Sequence, residues 1–292
     1  MGLASAEKDR RGIAHLPVGY VPPHFSPGAG FARNLSSRQS EVRTLGLTDY
    51  FSKEGRKARS LQKMIQRAGD KHAQSPDRFR ALELLRDDGG SEAILGLLRR
   101  FGFVYDKTIE DEQEKEWVFH ELVAMGPKVL PPLRKYMRES ETLGWALKIL
   151  EQVARGEEFQ KVLEQLCEQN DNNYVRDPNK KIQLVHFMGE HREPTIAKLL
   201  IPYLEDIDEG VRFKAVQALL HQAQPDVVVE PLCKLLLRPT EESRRIKIRI
   251  LEGFAEAQFA FSQKDRAAIV QVAKDLDIPI SLDEKGRLKQ NS

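Results

Sequence analysis

Apolar residues recur at three- and four-residue spacing through most of this chain, in segments of helical length broken by short polar, glycine or proline turns. That period predicts amphipathic helices, and the turns between them are short enough to make consecutive helices antiparallel neighbours. The clearest unit is 206–237, DIDEGVRFKAVQALLHQAQPDVVVEPLCKLLL, with two apolar-periodic helices at 211–220 and 227–237 around a polar turn carrying Pro225. Neither helix buries its apolar face alone, so the unit requires copies of itself to stack on. The copies are present: Leu133, Leu166, Leu199 and Leu232 are spaced 33 residues apart. Leu130, Leu163, Ile196 and Val229 form a second column in the same register, and Val129, Val162, Thr195 and Val228 a third. Ile149, Ile182, Ala215 and Ile248 make the matching inward column of the first helices.

Four regions follow. Residues 1–47 mix Pro17, Pro22, Pro23 and Pro27 with Gly19, Gly28 and Gly30 and show no apolar period, which predicts a disordered tail. A start codon assigned too far upstream would also produce such a segment. Residues 48–74 form a basic helix, with Ala58, Leu61, Ile65 and Ala68 on one face and Lys53, Arg56, Lys57, Arg59, Lys63, Arg67 and Lys71 around it. Residues 75–276 carry about six helix pairs, opened by Ser75-Pro76-Asp77, a helix-start signal. Within them, Phe101 to Thr108 is the one irregular insertion; Thr108 and Asp111 are expected to form a capping box beyond it. The acidic run Glu110, Asp111, Glu112, Glu114, Glu116 is ascribed largely to the dipole of that helix. Residues 277–292 form an extension in which IPISL alternates and Asp283 to Gly286 reads as a turn.

The fold class expected is therefore all-α: a right-handed α-solenoid of about six helix pairs behind a disordered N-terminal tail. Asp206, Val211, Arg212, Ala215, Ala218 and Leu219 follow D-x-x-x-x-V-R-x-x-A-x-x-A-L, which resembles the short bacterial HEAT-type repeat, the sort also seen in phycobilin-lyase-like proteins. The pattern is complete in that unit and partial in the others: Asp171, Val175 and Arg176 are followed by Pro178, and Arg245, Ile248 and Leu251 lack the aspartate. The resemblance implies a binding scaffold with a concave groove lined by the second helices of each pair, and for a minority of such arrays action on bilins or alkylated DNA bases.

Composition narrows this only a little. The net charge is +2, without the global bias expected of a nucleic-acid or anionic-membrane protein. No apolar run reaches the roughly 20 residues a membrane span needs, and the N-terminus lacks the apolar stretch of a secretory signal. Cys167 and Cys233 occupy the same slot two repeats apart, with Leu200 between them, so they read as core positions in a reducing, cytoplasmic protein rather than as a disulfide.

Candidate chemistry is sparse. His186 and His191 flank Glu190 without the H-E-x-x-H spacing, His120-Glu121 lacks a second histidine, and there is no phosphate loop or nucleophile elbow. No catalytic residue, metal ligand or cofactor is assigned, and Trp117 and Trp145 fall on apolar faces. Two basic sets stand out. Arg99, Arg100, Arg134, Lys135, Tyr136 and Arg138 lie on early second helices and are the choice for a partner-binding surface. Lys148, Lys181, Lys214 and Lys247 share the 33-residue register and, with Arg212 and Arg245, form a stripe on the first helices. The plain reading of each is a solvated helix face; the functional readings are protein docking for the first and an electropositive track for the second. The function expected is a non-enzymatic scaffold that binds another protein through its concave face. The alternative is a nucleic-acid-binding or base-repair protein, and a bilin-lyase-like enzyme rests on fold analogy alone.

Overall fold

The computed structural model describes residues 53–170 and 174–290. The predicted tail at 1–47 lies outside the described residues, as do the first residues of the 48–74 region. The described chain is mostly helical, with thirteen α-helices and one short β-hairpin. Helix α1 is Lys53–Ala68. The pairs after it are α2 (Ser75–Asp88) with α3 (Ser91–Leu98), α4 (Thr108–Ala124) with α5 (Leu130–Glu139), and α6 (Gly144–Val153) with α7 (Gly156–Gln169). They continue as α8 (Asn179–Gly189) with α9 (Pro194–Leu200), α10 (Glu209–Gln222) with α11 (Pro225–Leu236), and α12 (Arg244–Ala257) with α13 (Arg266–Asp275). No described helix is long and apolar enough to cross a membrane.

Like packs on like. Each first helix touches the next first helix, α2 on α4, α4 on α6, α6 on α8, α8 on α10 and α10 on α12, and second helices follow suit from α3 through α11. Two close approaches between first helices depend on glycine. A Cβ on Gly189 would meet Ala218 Cα at 3.1 Å and Cβ at 2.8 Å, and one on Gly253 would meet Leu220 side-chain atoms from 2.3 Å. One hydrophobic core runs through these contacts, and most of the predicted columns lie in it: Leu133, Leu166, Leu232, Val129, Val162, Val228, Leu163, Ile196, Ile149 and Ala215 are all buried. The register slips in one place. Leu199 is only half-buried and Thr195 exposed, while Leu200 is fully buried. Helix α9 is seven residues long and passes into a tighter 3-10 turn, Ile201–Glu205, at Pro202. With that shorter, differently wound segment, the residue one place later takes the inward direction.

Ion pairs tie successive pairs together. Lys181 on α8 donates to Asp206, in the loop before α10, at 2.8 Å, with both side chains buried. Arg212 on α10 donates to Glu241, in the loop before α12, at 2.7 Å, and to the carbonyls of Asp206 and Ile207 behind it. The aspartate and arginine of the repeat motif thus hold the loops at the helix starts, where Asp208 and Ser243 cap α10 and α12.

At the C-terminus, β1 (Ile280–Leu282) pairs antiparallel with β2 (Leu288–Gln290), around the turn that the sequence placed at Asp283 to Gly286. Gly286 has φ +80, and a Cβ there would strike the Arg266 guanidinium, which donates to the carbonyls of Phe261 and Glu284. Arg266, which occupies a core slot in the repeat register, instead clasps the hairpin against the last helix pair.

Candidate protein-binding face

The second helices carry the residues chosen from sequence, and the structure divides them. Arg99, Lys135 and Arg138 are exposed; Lys135 stands 3.7 Å from Glu92, and Arg134 is ion-paired with Glu158. Arg100 and Tyr136 do not belong to a surface. Tyr136 is in the core, and burial raises its hydroxyl pKa. Arg100 is 0% exposed and forms part of a buried ionic cluster.

That cluster explains the irregular insertion. Glu114 accepts from Arg78 Nε and Nη2 at 2.8 Å each, from Arg100 Nε at 2.8 Å and from Ser75 at 3.0 Å. Asp111 accepts from Arg100 at 2.6 Å, from Lys115 at 2.5 Å and from the backbone N–H of Tyr105 at 3.0 Å. Asp111 is therefore not the end of a capping box with Thr108; its carboxylate reaches back to the loop. Arg100 also stacks on the Phe103 ring and Arg78 on the Tyr105 ring, each 4.4 Å from the centroid. The loop between α3 and α4 is thereby fixed from beneath, with Val104 and Ile109 left exposed on either side.

Burial pushes both carboxylates toward protonation, but the Lys115 and Arg100 hydrogen bonds on Asp111, and those of Arg78 and Arg100 on Glu114, outweigh it. Both pKa values fall below the ordinary ones. Because the unfolded carboxylates hold their protons to higher pH, their contribution is complete above about pH 4–5 and is lost as pH falls through the lower native values. Urea titrations at a series of pH values are expected to show stability declining below about pH 4, with a shallower acid slope in Glu114→Gln.

The stripe on the first helices is not the continuous cationic track that the 33-residue register suggested. Lys181 is buried on Asp206, Arg212 is bound by Glu241 and Arg245 by Glu209. Lys214 and Lys247 are half-buried, and of the four lysines only Lys148 stands exposed, 4.7 Å above the Trp145 ring. Trp145 also stacks on Phe101, and Trp117 packs on Phe79, as apolar-face residues should.

A feature that the columns did not reveal lies farther along the second helices. A groove of about 780 Å³ follows α11, walled by the 3-10 turn after α9 on one side and the turn before α13 on the other. Ile201, Pro202, Val227, Val229, Pro231 and Leu237 supply an apolar lining, and Glu205, Asp226, Glu230, Lys234, Lys264 and Asp265 also border it. The groove lies where the short α9 passes into its 3-10 continuation, and Val227 and Val229 are half-covered there, although Val229 falls in a column predicted to face inward. Cys233 closes part of the wall. Burial raises its thiol pKa to about 12 and that of Cys167 to about 11, so neither is a nucleophile at neutral pH. Both cysteines are free.

Elsewhere, His191 packs at a tilt against Phe159 and Phe187, and His186 faces Glu190 in solvent. Among the described residues no three His, Cys, Asp or Glu side chains converge as a metal site requires. Compared with known proteins, the chain matches no family model and no curated protein.

Proposed function

We propose that residues 75–276 are a HEAT-like, right-handed α-solenoid, and that the chain is a non-enzymatic, cytoplasmic scaffold that binds another protein along the concave face of its second helices. Like-on-like helix packing and the burial of most 33-residue columns support the repeat reading. The observation that carries the binding reading is the groove along α11, where half-covered Val227 and Val229 leave apolar surface open on the same face as Arg99, Lys135 and Arg138. Apolar lining with polar groups at the edge is the anatomy of a docking surface. The neutralisation of Lys181, Arg212 and Arg245 removes the principal support for a nucleic-acid track.

Capture from nuclease-treated native lysate tests this. The wild-type chain is expected to retain a discrete protein partner, and Val229→Arg, which places a charge at a half-buried position of the lining, is expected to lose it while keeping the wild-type circular dichroism spectrum. Identical capture by both chains, or recovery of nucleic acid alone from untreated lysate, would count against the proposal.

A further inference from the structure

The groove along α11 also indicates the chemistry of what it holds. Four carboxylates border it against two lysines. Glu205 is already engaged, by Arg238 and by Lys234 at 3.7 Å. Asp226, Glu230 and Asp265 have no basic side chain within ion-pair distance among the described residues. Asp226 lies in the first turn of α11 and Asp265 just before α13, where the helix dipole favours a carboxylate. Glu230 stands mid-helix, beside Val229 and Pro231, without that support. It is exposed at the edge of an apolar lining, and Lys234, one turn farther along α11, is drawn to Glu205 instead.

Resting on the scaffold reading above, we infer that the α11 groove takes a basic, amphipathic segment of the partner, with apolar side chains set into the lining formed by Val227, Val229 and Leu237 and lysine or arginine side chains reaching Glu230, Asp226 and Asp265. Charge complementarity selects this occupant over an acidic one, which would bring like charges onto three carboxylates that have no ion-pair partner among the described residues. The apolar lining selects a segment with hydrophobic anchors over a purely polycationic one. The early second helices, where Arg99, Lys135 and Arg138 are exposed, have the opposite sign, so a basic segment is directed to the C-terminal half of the face.

The test is selection from a library of short random-sequence peptides on the immobilised full chain, followed by affinity measurement on three proteins: wild type, Val229→Arg, and the isosteric triple variant Asp226→Asn, Glu230→Gln, Asp265→Asn. Asp226 and Glu230 are exposed and Val229 and Asp265 half-buried, so binding is compared only between proteins whose circular dichroism spectra and thermal midpoints match. The enriched peptides are expected to combine Leu, Ile or Phe with several Lys or Arg. They should bind the triple variant at least about tenfold more weakly, with affinity falling as salt rises. Enrichment of neutral or acidic peptides that Val229→Arg abolishes would overturn the charge inference while leaving a protein-binding groove in place. Peptides that bind the triple variant as tightly as wild type would do the same. If no peptide is enriched and the chain instead forms a concentration-dependent dimer that Val229→Arg abolishes, the occupant is a second copy and the inference fails. Failure of the lysate capture, by contrast, counts against the scaffold reading itself.

Discussion

Replacing Glu114 with alanine is expected to lower the free energy of unfolding by about 3–5 kcal/mol, a large part of the stability of most single domains. The reason is what remains behind. Arg78 and Arg100 are both 0% exposed, and Glu114 is the carboxylate they share. Without it, one guanidinium keeps the Ala73 carbonyl and the Tyr105 ring but no carboxylate, and the other keeps Asp111, itself shared with Lys115. Two cations then face each other across a desolvated gap. The result separates this cluster from the exposed pairs. Arg245 with Glu209 is open to water, and its removal is expected to cost less than about 1 kcal/mol. Chemical denaturation of the two alanine variants side by side measures the difference. The Tyr105 amide, held by Asp111 Oδ1, should also exchange with solvent faster in Glu114→Ala, because the loop loses its support from beneath.

The second large effect distinguishes neighbouring leucines. Leu232→Ala and Leu200→Ala are each expected to cost about 2–5 kcal/mol, since both side chains are fully buried and the stacked helices relax only partly into the space. Leu199→Ala should cost about 1 kcal/mol, in keeping with a half-exposed side chain. By sequence register Leu199 and Leu232 are equivalent, so equal costs would mean that the register is continuous through α9. Unequal costs would locate the slip at the short helix and Pro202.

What was legible in the sequence is what repeats. Burial imposes apolar residues at fixed intervals, and Leu133, Leu166 and Leu232 therefore announced their places, as did the turn at Asp283 to Gly286. What was hidden depends on partners far apart in the chain. Lys181 reaches Asp206 across 25 residues and Arg100 reaches Glu114 across 14, and no local period marks either pairing. A signal for the cluster was nonetheless present. Asp111, Glu114, Lys115, Val118 and Leu122 share one helical face, and Arg100 lies between Leu98 and Phe101, so charged residues occupy apolar-face positions. Ascribing the acidic run to the helix dipole concealed that. The groove was illegible for another reason: it lies where α9 passes into its 3-10 continuation, and Val229 looks the same in the column whether its neighbour covers it or not.

Stacking of equivalent helices in file is tested most directly by pulsed electron-spin distances between labels on the first helices, with Cys167 and Cys233 replaced by serine and alanine. Labels at positions 148 and 214 are two repeats apart, and those at 148 and 247 three. At about 10 Å per packed helix layer, a stacked array predicts separations of about 20 Å and about 30 Å, rising with each repeat. A separation that fails to grow from the first pair of labels to the second would contradict the array.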